Sequence, residues 1–270
     1  MKERGQMRDT VHKKLVREYY SKRAEDYDKQ KSRTWKIARG FSNEVTEALV
    51  QALRNCRKKL VLEVCVGTGR TSFSILEEIH PLVVGLDLSR EMLKATKAKM
   101  PTCGHAFDLV LGDAECLPFA DEVFGALVCT SAMHYFGNLG TSAAEFNRVL
   151  HQNGCFAYGD LTLHESDKQH FLDRLERTIS RAHGSYNKPS EVKKMLEETG
   201  FVVSQITTVP YRKSFQALIE DKARYFGVAQ EALDKCIKDA AEDERKLYAT
   251  DRHGLTLFYT IIKALKQKSS

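Results

Sequence analysis

The sequence predicts an α/β fold: a doubly wound, mostly parallel sheet of seven strands, with an N-terminal helical cap and a helical insertion before the last strand. Three observations predict it. Short apolar runs with hydrophobics on both parities recur along the chain, segments of helical periodicity separate them, and polar residues gather where the runs end. With 42% hydrophobic and 29% charged residues, the composition excludes wholesale disorder, a collagen-like fibre and a membrane bundle. No apolar run approaches the ~20 residues needed to cross a bilayer, so a cytoplasmic protein is expected.

In chain order, residues 9–31 are polar and helix-prone, and Phe41 to Leu53 repeats apolar positions (Phe41, Val45, Leu49, Leu53) every three or four residues. Leu60–Val66 is the first strand and ends in Gly67-Thr-Gly69. Thr71–Ile79 is helical, Leu82–Leu86 is a second strand, and Ser89 caps a helix through Lys99, completing one β-α-β unit. Phe107–Leu111 and Gly125–Cys129 follow as strands, then a helix near Ser142–Leu150 and a strand at Gly154–Tyr158. Beyond Asp160 the pattern loosens into helices at Asp167–Ala182 and Ser190–Thr199, a strand at Phe201–Ile206, charged helices over 214–248, and a last strand at Leu255–Ile262 in the same sheet. Without an internal repeat or low-complexity linker, residues 1–270 read as one domain: a cap over 1–58, a core over 59–160, and the remaining helices and strands over 161–270.

Net charge is +6, concentrated at the N-terminus: residues 1–60 hold 17 Lys/Arg against 8 Asp/Glu, and the rest 25 against 28. Such a segment attracts RNA, an anionic surface or an acidic substrate, but Lys and Arg also simply solvate helices. The seven cysteines form no CxxC pair and no clustered His/Cys spacing, so no metal site is expected and reduced thiols are the plain reading. Cys65, Cys129 and Cys155 lie in apolar runs as small hydrophobes, with a three-thiolate site as the alternative.

In an open parallel sheet, ligands bind beyond the carboxyl ends of the strands where strand order reverses. Glu63 and Gly67-Thr-Gly69 close strand one, Asp87 closes strand two, Asp113 follows strand three, and Thr130 to His134 follow strand four. The glycines let the backbone turn sharply beside a ligand, and the next helix presents free amides. Asp87, twenty residues after Gly67, is placed to accept from two ribose hydroxyls, and Asp113 to take an adenine amine while Ala114 leaves room for the ring. Arg70 is the one basic residue of the turn and position 72 is serine where a diphosphate cofactor wants a third glycine, so the pattern describes adenosine with a short, non-phosphate substituent.

These segments resemble the class I S-adenosylmethionine-dependent methyltransferases, in particular the small-molecule group that includes the ubiquinone and menaquinone C-methyltransferases. Glu63-Val-Cys-Val-Gly67-Thr-Gly69-Arg is similar to the family's glycine loop, Val84-Gly-Leu-Asp87-Leu-Ser-Arg-Glu-Met-Leu93 to its ribose segment, and Gly112-Asp-Ala-Glu-Cys-Leu-Pro-Phe119 to its adenine segment. The resemblance covers roughly residues 17–160 and implies a Rossmann-like methyltransferase fold. It also implies S-adenosyl-L-methionine as cofactor, S-adenosyl-L-homocysteine as product and a small-molecule acceptor. Cofactor contacts then fall to Glu63, Cys65, Gly67, Thr68, Gly69, Asp87, Leu88, Met92, Asp113, Ala114 and Thr130, with Tyr20 and Tyr27 in a lid. Cys65 stands where the first glycine is usual, so a turn that is slightly tighter, or held off the methionine moiety, is expected there.

Methyl transfer is an in-line displacement that needs alignment and exclusion of water, with no metal and no covalent nucleophile. For an acceptor that must lose a proton, His134 is the first candidate base and Asp160 the second. A monomer or homodimer is expected. RNA or protein as acceptor, non-catalytic adenosyl binding, and a nicotinamide-dependent oxidoreductase are the alternatives left open.

Overall fold

Leu60–Val64 (β1) is apolar on both parities except at Glu63, and the fold uses both sets. In a computed structural model, which describes residues 10–28, 47–51, 53, 60–79, 82–103, 107–227 and 230–267, β1 lies in the middle of a seven-stranded sheet of order β3-β2-β1-β4-β5-β7-β6. Leu62, Val64, Leu127 and Cys129 face one core with Phe146, Phe156 and Ile262. Val61, Ala126, Val128 and Ala157 face the other, with Ile75, Leu49 and Ile261. A side-chain period of two on a strand covered on both sides produces this division.

The remaining strands are β2 (Leu82–Asp87), β3 (Asp108–Leu111), β4 (Phe124–Thr130), β5 (Leu150–Thr162), β6 (Phe201–Ser214) and β7 (Gly254–Lys266). β1 pairs in parallel with β2 and β4, β2 with β3 and β4 with β5, whereas β7 runs antiparallel between β5 and β6. Strand order reverses between β1 and β4, and this opens the crevice at their carboxyl ends.

Helices follow where the sequence supplies caps. Thr10 caps α1 (Val11–Arg23) by accepting the Lys13 amide at 3.2 Å. The helix α2 (Arg70–Ile79) follows β1, and Ser89 caps α3 (Arg90–Cys103) by accepting the Met92 amide at 3.2 Å. Asn138 caps α4 (Leu139–Val149), and α5 (Phe171–Ile179) and α6 (Pro189–Glu198) follow β5. Between β6 and β7 lie α7 (Phe215–Phe226), α8 (Gln230–Asp239) and α9 (Glu242–Leu247). This is the expected insertion, and with α5 it builds a third core around Phe171, Leu175, Leu233 and Tyr248.

The expected helix at Phe41–Leu53 is helical at 47–51 and 53, and the rest of it lies outside the described residues, as does the end of the first helix beyond residue 28. β5 and β6 exceed their expected spans. β5 begins at Leu150 and passes through the polar stretch His151-Gln-Asn153, where Asn153 has a φ of 60° and the register with β4 shifts between Phe124 and Ala126. β6 runs on through Thr207, Thr208 and Pro210, where the exposed positions Thr208, Pro210, Arg212 and Ser214 break the apolar alternation and the proline is tolerated because the strand is at the sheet edge. Among the described residues, no helix is long and apolar enough to cross a membrane.

Candidate active site

The carboxyl ends of β1 to β4 and the helix α1 enclose a cavity of about 230 Å³. Of the sequence-predicted residues, Tyr20, Tyr27, Glu63, Cys65, Gly67, Thr68, Asp87, Leu88, Met92, Asp113, Ala114 and Thr130 all line it. Four separate strand ends are brought to one space because parallel strands share a direction, so their ends fall on one side of the sheet.

The turn after β1 is held by β2. Gly67 has a φ of 56°, and its N–H donates to Asp87 Oδ2 at 2.8 Å. Asp87 Oδ1 accepts the Ser89 amide at 2.8 Å. The Leu88 amide also contributes to holding this carboxylate, which borders the cavity. Burial pushes the Asp87 carboxyl up to about 6, against the pull of these amides. Cys65 also stands in the left-handed region, with a φ of 58°, and its thiol is pushed well up by a hydrogen bond with Cys129 and by burial. A β-carbon in that conformation is strained by about 1–2 kcal/mol. Cys155 packs on the other face of the sheet from Cys129, so the three-thiolate arrangement does not form. Among the described residues no group of three metal-binding side chains is assembled.

Gly69 departs from expectation, for it is not part of the cavity wall. A β-carbon there stands 2.8 Å from Thr96 Cγ2 and 2.9 Å from Phe73 Cε2, with φ at 79°. This glycine lets α2 and α3 approach each other.

Glu63, 2% exposed, accepts a short hydrogen bond from Ser72 Oγ. Burial raises its carboxyl to about 8, outweighing the hydrogen bonds from Ser72 and Thr71 that pull it down. At neutral pH this acid carries its proton. Thr130 Oγ1 lies 3.1 Å from Thr71 Oγ1.

His134 and Asp160 are brought together, as a buried pair. Nδ1 of the imidazole is 2.8 Å from Asp160 Oδ1, and Asp160 Oδ2 accepts the His134 amide at 3.2 Å. Neither residue is among those that line the cavity. The neighbouring Tyr135 does, with Ser131 and Tyr259, whose hydroxyls are 3.1 Å apart. The His134 carbonyl accepts the amides of Gly184 and Ser185, so the pair ties the segment after β4 to the segment after α5.

The roof was the least legible part. Residues 10–28, comprising α1 and the turn after it, hydrogen-bond to the segment after each of the four strands. Thr68 donates to Asp28, Ser21 donates to Glu91 and sits 3.0 Å from Ser89 Oγ, Lys13 binds Asp113 and Glu115, and His12 Nε2 meets the Tyr135 carbonyl at 3.0 Å. Tyr19 packs on Tyr225 and Phe226 of α7 at 5.5 and 4.7 Å, and Tyr20 lies edge-on to Tyr135 at 5.3 Å. Lys13, Ser21 and His12 read in the sequence as ordinary solvated positions of a polar helix.

A family model described as a methyltransferase domain matches residues 61–154. The chain is 38% identical over 104 residues to a phthiotriol/phenolphthiotriol dimycocerosates methyltransferase of Mycobacterium tuberculosis, covering 38% of each protein. To a demethylmenaquinone methyltransferase of Chlorobaculum parvum it is 34% identical over 99 residues, 37% of this chain and 39% of that one. The match thus spans about two fifths of these relatives. Among solved structures, a putative methyltransferase from Bacillus halodurans C-125 superposes with a TM-score of 0.72 at 26% identity, covering 82% of this chain and 99% of that one.

Proposed function

We propose that the protein moves a methyl group from S-adenosylmethionine to a small-molecule acceptor, a reading supported by the methyltransferase-domain match over residues 61–154 and by the methyltransferase-like fold. The observation that carries the reading is the convergence of Glu63, Asp87, Asp113 and Thr130, from four strand ends, on one cavity. The residues fit the adenosyl group: Asp87 borders the cavity with a carboxylate for the ribose hydroxyls, Gly67 presents no side chain, and Glu63 is a buried acid ready to exchange its proton for a cationic partner. The acceptors in the relatives' names, phthiotriol-type dimycocerosates and demethylmenaquinone, support a small molecule over a polymer.

S-adenosylmethionine supplies an electrophilic methyl carbon on a sulfonium. Asp87 binds the ribose, Asp113 the adenine amine with Ala114 beside the ring, and Glu63 the amino end of the methionine. Thr68, Leu88, Met92 and Thr130 pack around them, with Cys65 on the turn. Tyr20, Tyr27, Tyr135 and Tyr259 cover the site, exclude water and orient the acceptor. Burial holds the phenols of Tyr20, Tyr135 and Tyr259 well above their ordinary range, so they act as donors and packing surfaces, not as bases.

Among the described residues lining the cavity there is no histidine. Its carboxylates, Glu63, Asp87, Asp113 and Glu115, are engaged in the contacts above or in ion pairs. We therefore assign His134 and Asp160 the task of holding the Tyr135 segment, in place of the general-base role the sequence suggested. The test is calorimetric titration with S-adenosylmethionine and S-adenosylhomocysteine, with nicotinamide dinucleotides as control. Saturable binding of the adenosyl pair alone is expected, and no binding of it removes the reading.

A further inference from the structure

Lys13 has no counterpart in the sequence-level account of the site, yet its side chain is only 10% exposed and its Nζ lies between two carboxylates, 2.7 Å from Asp113 Oδ2 and 2.8 Å from Glu115 Oε2. The other Asp113 oxygen accepts the Glu115 amide at 3.0 Å, and Glu115 Oε1 accepts the amides of Gly137 and Asn138 at 3.0 and 3.3 Å. Asp113 therefore has one fixed orientation, set by a backbone amide on one oxygen and a lysine from the roof helix on the other. Burial alone lowers an ammonium pKa, but here the bonds to the two carboxylates outweigh it and the pKa is raised. Lys13 is thus charged over the whole neutral range.

We propose that Lys13 is a positioning residue for cofactor recognition: its Nζ, held between Asp113 and Glu115, fixes the orientation of Asp113 so that its remaining lone pairs meet the exocyclic amine of the adenine. The inference rests on the adenosyl reading given above. Its physical basis is the proximity of two carboxylates that share one ammonium. Without that ammonium the two like charges repel and Asp113 loses the contact that fixes its Oδ2, and a rotated Asp113 no longer accepts from the amine. Lys13 sits in the first turns of α1, so adenine recognition is complete only when the roof is in place.

The test compares S-adenosylhomocysteine with its inosine counterpart, which has a 6-oxo group where adenine has the amine, on wild type, Lys13→Met and Lys13→Arg by calorimetry. Wild type is expected to prefer the adenosyl ligand by about tenfold or more, as for a site built to pair a buried polar group. Lys13→Met is expected to lower that preference about tenfold, mainly through weaker adenosyl binding, and Lys13→Arg to restore most of it. Lys13→Gln keeps one donor of shorter reach and gives the same comparison if the methionine variant does not fold. Equal weakening of both ligands would mean that Lys13 merely secures the roof, and tighter adenosyl binding in Lys13→Met would make it a competitor for Asp113. Either result overturns the proposal. A wild type that binds both ligands equally removes Asp113 as the amine acceptor while the cofactor class stands, and one that binds neither removes the adenosyl reading itself.

Discussion

The carboxylate of Asp87, at the end of β2, accepts the backbone N–H of Gly67, at the end of β1, at 2.8 Å. One side chain thus shapes the turn after β1 and, in the proposed reading, both presents that turn to the cofactor and binds the ribose. Asp87→Ala removes both. The expected outcome is a loss of S-adenosylhomocysteine affinity of about a hundredfold or more, since each hydrogen bond to a charged group contributes about 1.5–3 kcal/mol. Calorimetry measures it, with circular dichroism to establish that the fold persists. Retained affinity in a folded variant removes Asp87 from the ribose role.

Gly67 and Gly69 both have positive φ, but they face different surroundings. Around Gly67 an added β-carbon meets only the Cys65 carbonyl at 3.9 Å, whereas at Gly69 it overlaps Thr96 and Phe73. Gly67→Ala is expected to cost about 1–2 kcal/mol of stability and to weaken the cofactor. Gly69→Ala is expected to cost about 2 kcal/mol or more, with its main effect on the melt. Thermal denaturation beside ligand titration separates the two, and equal melts with equal affinities would contradict the packing described for Gly69.

Glu63 ionises near 4.5 when exposed and at about 8 in the fold. Between those values the folded chain binds one proton more than the unfolded chain at this site, so its contribution to stability falls as pH rises from 4.5 to 8 and levels off above, by at most about 1.4 kcal/mol per pH unit. Glu63→Gln abolishes that slope. Denaturant melts at pH 5, 6.5 and 8 are expected to show the variant gaining on wild type as pH rises, and parallel curves would refute the burial argument. If Glu63 pairs with the amino group of the cofactor, binding below pH 8 also releases a proton, measurable by calorimetry in buffers of different ionisation enthalpy.

His134→Ala leaves the 1%-exposed Asp160 without its imidazole partner and is expected to destabilise the fold by about 1–3 kcal/mol. Once an acceptor is in hand, turnover is expected to fall by less than tenfold, where loss of a general base costs about 10²–10⁴. A drop in that larger range with unchanged cofactor affinity would return His134 to the base role.

The sequence by itself determined the sheet and the floor of the site. Apolar runs on both parities mark buried parallel strands, and a polar residue closing such a run can only stand at a strand end. Glu63, Gly67, Asp87 and Asp113 were therefore legible as neighbours although they span fifty residues. Tertiary structure alone decided the rest. Whether a glycine serves a ligand or a helix contact, as Gly69 does, depends on what stands opposite its hydrogen. Whether a histidine lines a cavity or backs its wall, as His134 does, depends on which way a three-residue 3-10 turn faces. Lys13 on a polar helix becomes an internal partner of Asp113 only because α1 folds across strand ends a hundred residues away. A lone charge carries no periodicity, and burial by a distant segment leaves no trace in the residues around it.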